Sequence, residues 1–261
     1  MKTFNYHSAK DVKEASKLAS SNSVFLAGGM TTIPSMKLGL ASYKDIIDIK
    51  GIKKLSGIKV RGKSVTIGAI TKHAEVASSK DVKKTIPSLA ALADGIGDPQ
   101  VRNRGTIGGS IANNDPSADY PSACIALNAV IHTNNRKIEA SKFFKGMFET
   151  ALKKGEIIEA VEFQVPEKSS YQKYPNPASR YAVVGVYVAK HKKDVKVAIT
   201  GAKACVYNEE SISKILSNSF SSSAIDSVKI SSSGMNTDIH ASAEYRANMV
   251  RTFAKKAVDA C

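Results

Sequence analysis

The sequence predicts an α+β protein in three parts. Toward the N-terminus, short strand-like apolar runs alternate with amphipathic helical stretches, which predicts an early βαβ-like unit. Between residues 181 and 207, three strand-like runs follow one another with only short turns, which predicts an antiparallel meander. Residues 243–260 carry apolar side chains at helical spacing, as a helix covering one face of that meander requires. With 261 residues, 43% of them hydrophobic, the chain has enough apolar material for one large domain or for two or three small ones with a real core.

Taken in order, residues 3–6 read as an edge strand and residues 11–18 as a helix with Val12, Ala15 and Leu18 turned inward. Residues 24–27 form a buried strand that breaks at Gly28-Gly29. A helix starts near Met30-Thr31-Thr32-Ile33-Pro34, where either threonine can cap and proline is tolerated in the first turn. Residues 44–49 and 64–68 are strands, and residues 75–77 and 86–93 are helical. Residues 122–128 read as helix, and 129–132 with 136–139 as a hairpin around Asn134-Asn135. Residues 156–166 form a strand. Residues 169–177 contain two prolines and read as a turn-rich crossing segment. Beyond the meander, residues 211–216 are helical, and residues 217–233 read as a mobile, serine-rich stretch. Tyr245, Met249, Phe253 and Val258 are expected on the buried side of the last helix.

Two stretches carry chemistry. The first is the strand–Gly28-Gly29–helix junction. Backbone N–H groups converge at such a junction and suit a phosphate. The spacing is neither G-x-G-x-x-G nor a P-loop, and tight packing alone also selects glycine there. The second is residues 102–121, read as a long polar loop with Gly105, Gly108 and Gly109. Thr106, Ser110, Asn113 and Asn114 add hydrogen-bonding side chains, and Asp115 and Asp119 add carboxylates. Donors for phosphate and acceptors for sugar hydroxyls together suit a nucleotide-type ligand, and a polar loop capping a strand is the plain structural alternative.

The net charge of +15 arises from lysines scattered along the chain rather than from one stripe, and no RNA-binding signature interleaves them. This disfavours nucleic acid and favours a solvated surface or an acidic partner. The three cysteines, Cys124, Cys205 and Cys261, are far apart and form no Cys-x-x-Cys, so an iron–sulfur or four-cysteine zinc centre is not expected on this chain. No apolar run reaches the length of a bilayer span, and residues 1–7 carry no apolar signal region, so a cytoplasmic location is expected.

Phe25-Leu-Ala-Gly-Gly-Met-Thr-Thr32 and Thr106-Ile-Gly-Gly-Ser-Ile-Ala-Asn-Asn-Asp-Pro-Ser-Ala-Asp119 together resemble the FAD-binding medium subunit of the molybdenum hydroxylases. That family includes carbon monoxide dehydrogenase, xanthine dehydrogenase and archaeal glyceraldehyde dehydrogenase. The resemblance extends through Asp98-Pro-Gln-Val-Arg102, Tyr171-Gln-Lys-Tyr174, Ser179-Arg-Tyr-Ala-Val-Val-Gly-Val186 and Ala243-Glu-Tyr-Arg-Ala-Asn-Met249. It implies a two-part FAD-binding α/β domain, vanillyl-alcohol-oxidase-like, followed by a C-terminal antiparallel sheet with helices. The divisions are expected at 1–55, 56–169 and 170–261.

By that resemblance, Phe25, Leu26, Ala27, Gly28, Gly29, Met30, Thr31 and Thr32 form one wall of an FAD site, with Ala27 to Thr31 and Thr106 to Ser110 together wrapping the pyrophosphate. Thr106, Ile107, Gly108, Gly109 and Ser110 form the other wall, with Asn113 and Asp115 beyond them. Asp119 holds ribityl or ribose hydroxyls, Lys173 lies near the flavin ring, and Ile96 and Ile158 pack against it. From the residues alone, Ile158 is a core strand position and Lys173 a turn lysine. Ser110 stands where the family often has Asn, and Met30 where it often has Thr or His.

The implied role is electron transfer without a catalytic residue or a metal on this chain. Electrons would come from [2Fe-2S] clusters on a small partner subunit, after oxidation of substrate at a molybdenum-pterin cofactor on a large one, and would leave to an external acceptor. The expected assembly is a doubled heterotrimer. The alternatives are a free-standing FAD-dependent oxidoreductase of the same fold and, outside enzymes, a basic nucleic-acid or scaffold protein.

Overall fold

The computed structural model describes residues 1–261. Its first part is a small parallel sheet. Strand β1 (Asn5–Ser8) leads through helix α1 (Val12–Leu18) to β2 (Ser23–Leu26), then through α2 (Thr32–Lys37) to β3 (Asp45–Asp48). β3 inserts between the other two and pairs in parallel with both. Asp11 caps α1 by accepting from the Glu14 N–H at 2.8 Å, and Val12 and Ala15 bury the inner face. Thr31 occupies the cap position of α2, but its side chain makes no capping hydrogen bond.

The middle part is a five-stranded antiparallel sheet. Strands β4 (Ile58–Arg61) and β5 (Ser64–Gly68) form its first hairpin. A helical layer follows: α3 (His73–Ser78), α4 (Lys80–Thr85), α5 (Pro87–Asp94), α6 (Pro99–Arg102), α7 (Ile107–Asn113) and α8 (Tyr120–Ala126). The chain returns through β6 (Val130–Thr133), β7 (Lys137–Glu139) and the short α9 (Ala140–Phe143). A small two-stranded ribbon, β8 (Phe144–Gly146) and β9 (Glu149–Thr150), then precedes β10 (Ile158–Gln164). The sheet order is β4-β5-β10-β6-β7, with β10 central. Strand β4 and helices α4 and α6 were not anticipated from the sequence. Neither was α7, which occupies the middle of the expected loop 102–121.

Helix α7 forms although a Gly-Gly pair disfavours helix by about 1 kcal/mol per glycine. Packing and capping override that propensity. Thr106 caps it by accepting from the Gly109 N–H at 3.2 Å, and the Gly108 N–H donates to the Ala69 carbonyl at 2.8 Å. A Cβ on Gly108 would lie 2.6 Å from the Ala69 Cβ, so only glycine brings α7 this close to the end of β5.

The C-terminal part is a four-stranded antiparallel sheet of β11 (Lys168–Pro175), β12 (Ala182–His191), β13 (Asp194–Thr200) and the two-residue β14 (Tyr207–Asn208). It is backed by α10 (Glu210–Asn218) and α11 (Ala243–Asp259). The segment expected as a turn-rich crossing is therefore strand β11, because all but its last residues pair in register with β12. The expected third strand at 203–207 shrinks to β14. The division expected at 169/170 falls inside β11. Strand β12 is buried on both sides: Val184, Val186 and Val188 join the core under α10 and α11, whereas Tyr187 and Ala189 join the core of the middle part.

Helix α11 buries Ala247, Val250, Ala254, Ala257 and Val258, while Tyr245 is 41% exposed. Of the residues expected inside, Val258 is buried and Met249 and Phe253 pack on the core from partly buried positions, so only Tyr245 departs from the expected face. Within the serine-rich stretch, Ile225 and Val228 are buried and a 3-10 turn spans Ser222–Ile225. No helix is long and apolar enough to cross a membrane.

Candidate functional site

A cleft of about 460 Å³ opens where the C-terminal end of β2 meets the N-terminal end of α7, with the start of β12 on its third side. Open α/β units place ligands at this end of their parallel strands. Ala27 to Thr32 form one wall. Gly29 has φ +74, a left-handed conformation that glycine adopts at no steric cost. Gly28 faces the backbone of the opposite loop, and a Cβ there would run into the Arg104 carbonyl. The backbone N–H groups of Gly28, Gly29, Met30 and Thr31 make no hydrogen bond within the chain. Successive free donors on a left-handed turn make a concave anion cradle.

The other wall is α7 and the residues after it. Here the N–H groups are already used: Ile107 donates to Thr71, Gly108 to Ala69, and Gly109 to the Thr106 hydroxyl. This wall offers side chains instead. The Ser110 hydroxyl and the Asn113 amide have no partner within the chain. Asp115 accepts from the Ser117 N–H at 2.9 Å, and burial raises its pKa above the ordinary carboxylate value despite that bond.

Asp119 closes the floor and is almost fully buried. Its carboxylate accepts from the Tyr171 hydroxyl and from Lys173 Nζ, the latter at 3.0 Å. Burial raises the Asp119 pKa, and the Lys173 ammonium and the Tyr171 hydroxyl oppose that rise. Lys173 Nζ also donates to the carbonyls of Gly95, at 2.9 Å, and Arg180, at 2.8 Å. All three of its protons are thereby directed at oxygen, and it ties the end of α5, the loop before β12 and the cleft floor together.

Most of the residues singled out in the sequence line this cleft: Phe25, Ala27, Gly28, Gly29, Met30, Thr31, Thr32, Ile96, Thr106, Gly109, Ser110, Asn113, Asp115 and Asp119. Leu26, Ile107 and Gly108 lie behind the walls and support them. Ile158 is a buried core residue on β10, and Lys173 stands behind Asp119 rather than among the lining residues.

Tyr43, His73, Arg180 and Tyr181 also line the cleft. None of them was assigned a site role from the sequence, although Arg180 and Tyr181 lie in the Ser179–Val186 stretch that carries the resemblance. His73 packs beneath Gly105, whose added Cβ would lie 2.6 Å from His73 Nε2. Its Nδ1 has no hydrogen-bond partner, and burial, with a smaller contribution from Arg102, pulls its pKa down to about 4. The signal for His73 was three-dimensional: nothing in its local pattern distinguishes it from the other four histidines.

A donor cradle facing a row of hydroxyl, amide and carboxylate groups defines a nucleotide-cofactor-binding protein. The cradle's chemistry suits a pyrophosphate, since the successive N–H groups of Gly28 to Thr31 have no partner within the chain. Residues 2–167 match the FAD binding domain in molybdopterin dehydrogenase, and the chain belongs to that family. It is 34% identical over 278 aligned residues to the carbon monoxide dehydrogenase medium chain of Hydrogenophaga pseudoflava, covering 98% of this chain and 96% of that one. It is 37% identical over 211 aligned residues to the glyceraldehyde dehydrogenase medium chain of Sulfolobus acidocaldarius, covering 76% and 75%. Its fold superposes on a chain of reconstituted carbon monoxide dehydrogenase from Oligotropha carboxidovorans with a TM-score of 0.91 at 27% identity, over 99% of this chain and 97% of that one.

Proposed function

We propose that this chain is the FAD-carrying electron-transfer subunit of a molybdenum-dependent hydroxylase or dehydrogenase complex. The observation that carries the reading is the run of free N–H groups from Gly28 to Thr31 opposite the polar side chains of α7. When bound, FAD exchanges electrons between iron–sulfur clusters on a small partner subunit and an external acceptor, and a large partner subunit holds the molybdenum-pterin centre. The likeness to medium chains over nearly the whole length supports this role. The complex is a doubled heterotrimer working in the cytoplasm.

The residues divide the work. Gly28, Gly29, Met30 and Thr31 donate to the pyrophosphate, and Thr31, Thr32, Ser110 and Asn113 hydrogen-bond to the phosphates and sugars around it. Phe25, Ala27, Thr106 and Gly109 shape the passage, backed by Leu26, Ile107 and Gly108. Asp115 and Asp119 accept from ribose and ribityl hydroxyls. Ile96 packs on the ring, with Ile158 supporting from the core. Lys173 fixes Asp119 and places positive charge at the ring end, where it stabilises negative charge on the reduced cofactor. The first parallel sheet and the middle part provide the two halves of the site, and the C-terminal sheet, from β11 on, closes it.

Denaturing the purified protein and identifying the released chromophore by chromatography tests the reading. FAD close to one per chain is expected. Absence of flavin, also after refolding with added FAD, removes it.

A further inference from the structure

The ribbon β8–β9 presents two large apolar side chains to solvent: Met147 is 54% and Phe148 58% exposed. Phe148 has φ +56, a left-handed conformation that is unfavourable for a bulky residue and persists only when its surroundings impose it. The surroundings here are one residue. Asn114 ends α7 in the left-handed conformation, with φ 44 and ψ 50. Its side-chain amide donates to the carbonyls of Gly146 and Glu149 at 2.7 and 2.8 Å, and its carbonyl accepts from the Phe148 N–H at 3.1 Å.

Asn113 and Asp115 line the cleft on either side of Asn114. Asn114 turns the opposite way and bolts the apolar tip to the cleft wall. The ribbon does not serve the core with these two side chains, since its buried anchor is Phe143, just before it.

We infer that the Met147–Phe148 tip is a docking knob that inserts into an apolar, acid-rimmed pocket on the iron–sulfur partner subunit. The inference rests on the electron-transfer role proposed above. Two features select this occupant. A donor cluster has to sit against the cofactor cleft, and the tip is fixed to the cleft wall through a single residue. Among residues 139–156, Lys142 is paired with Glu139 and the buried Glu156 with Arg136, which leaves the exposed Lys145, Lys153 and Lys154 against Glu149 alone, so the tip's complement is acidic at the rim. Exposed aromatic and methionine side chains held rigid are the usual anchors of such interfaces.

Two variants test it in the co-expressed complex, purified through a tag on this chain. Met147→Ser with Phe148→Ser removes the knob. Phe148→Gly removes the aromatic ring and also relieves the left-handed backbone, so the fold keeps or gains thermal stability. Both variants are expected to retain wild-type FAD content while recovery of the iron–sulfur subunit falls at least tenfold. Wild-type recovery in both variants overturns the inference. So does loss of the large subunit alone, or conversion of an isolated wild-type dimer of this chain into a monomer. FAD content is read on the same samples: absence of flavin from the wild type defeats the cofactor reading, while subunit recovery still decides the role of the knob.

Discussion

Asp119 is the residue on which the cleft floor hinges. Its carboxylate is buried and receives both the Tyr171 hydroxyl and the Lys173 ammonium. Removing one partner of a buried pair strands the other, which costs about 3–5 kcal/mol. Asp119→Ala is therefore expected to lower stability toward denaturant by about 3 kcal/mol and to weaken FAD. Asp119→Asn keeps an acceptor oxygen and loses less on both counts. An unchanged denaturation midpoint in the alanine variant would show that the pair contributes nothing.

His73 makes the opposite kind of statement, since it is buried without a charge partner. Its folded pKa of about 4 lies below the ordinary value of 6.5, so between these values the unfolded chain binds more protons. The stability linked to His73 is complete above pH 6.5 and is lost as pH falls toward 4, with a slope of at most about 1.4 kcal/mol per pH unit. His73→Gln, which does not titrate, is expected to flatten the melting temperature over that window relative to wild type. Identical pH profiles would show that another group sets the slope.

At the scale of elements, α7 separates two glycines that look equivalent in the sequence. Gly108 faces inward onto Ala69, whereas Gly109 faces the cleft and would bring an added Cβ to the Thr106 hydroxyl, at 2.9 Å, and to the Ala27 Cβ across the cleft, at 3.9 Å. Gly108→Ala is expected to cost about 1–3 kcal/mol through overpacking, and FAD is lost only as the fold loosens. Gly109→Ala is expected to leave stability within about 1 kcal/mol while FAD affinity falls tenfold or more, because the methyl group stands in the cofactor passage. Urea denaturation and flavin titration of the two variants separate these effects. Equal losses of both properties in both variants would mean that the two positions face the same way.

For the whole molecule, the boundary between the middle and C-terminal parts is a shared core rather than a linker. Tyr187, Ala189 and Ala198 of the C-terminal sheet belong to the same apolar cluster as Leu89, Leu92 and Phe163. The Tyr187 hydroxyl also bonds the Ser88 hydroxyl at 2.6 Å. A fragment ending at residue 167 exposes this surface, and it is expected to be insoluble or molten, although the family match ends there. Dispersed amide resonances and a cooperative melt from residues 1–167 alone would show that the shared core is dispensable.

The amino-acid sequence by itself determined the alternation of elements, the early βαβ unit, the meander and the two glycine stretches, because local periodicity and turn chemistry act between neighbours along the chain. It also pointed to most of the residues that line the cleft. Only the tertiary structure decided the rest. Helix α7 exists because Gly108 packs on Ala69, a contact between residues far apart in sequence. Strand β11 exists because β12 pairs with it, overriding a turn-like composition. Lys173 reaches Asp119 only after the C-terminal sheet has folded onto the middle part, and His73 enters the cleft only beneath Gly105. Such roles depend on which distant surfaces are brought together, and local propensity carries no information about that choice.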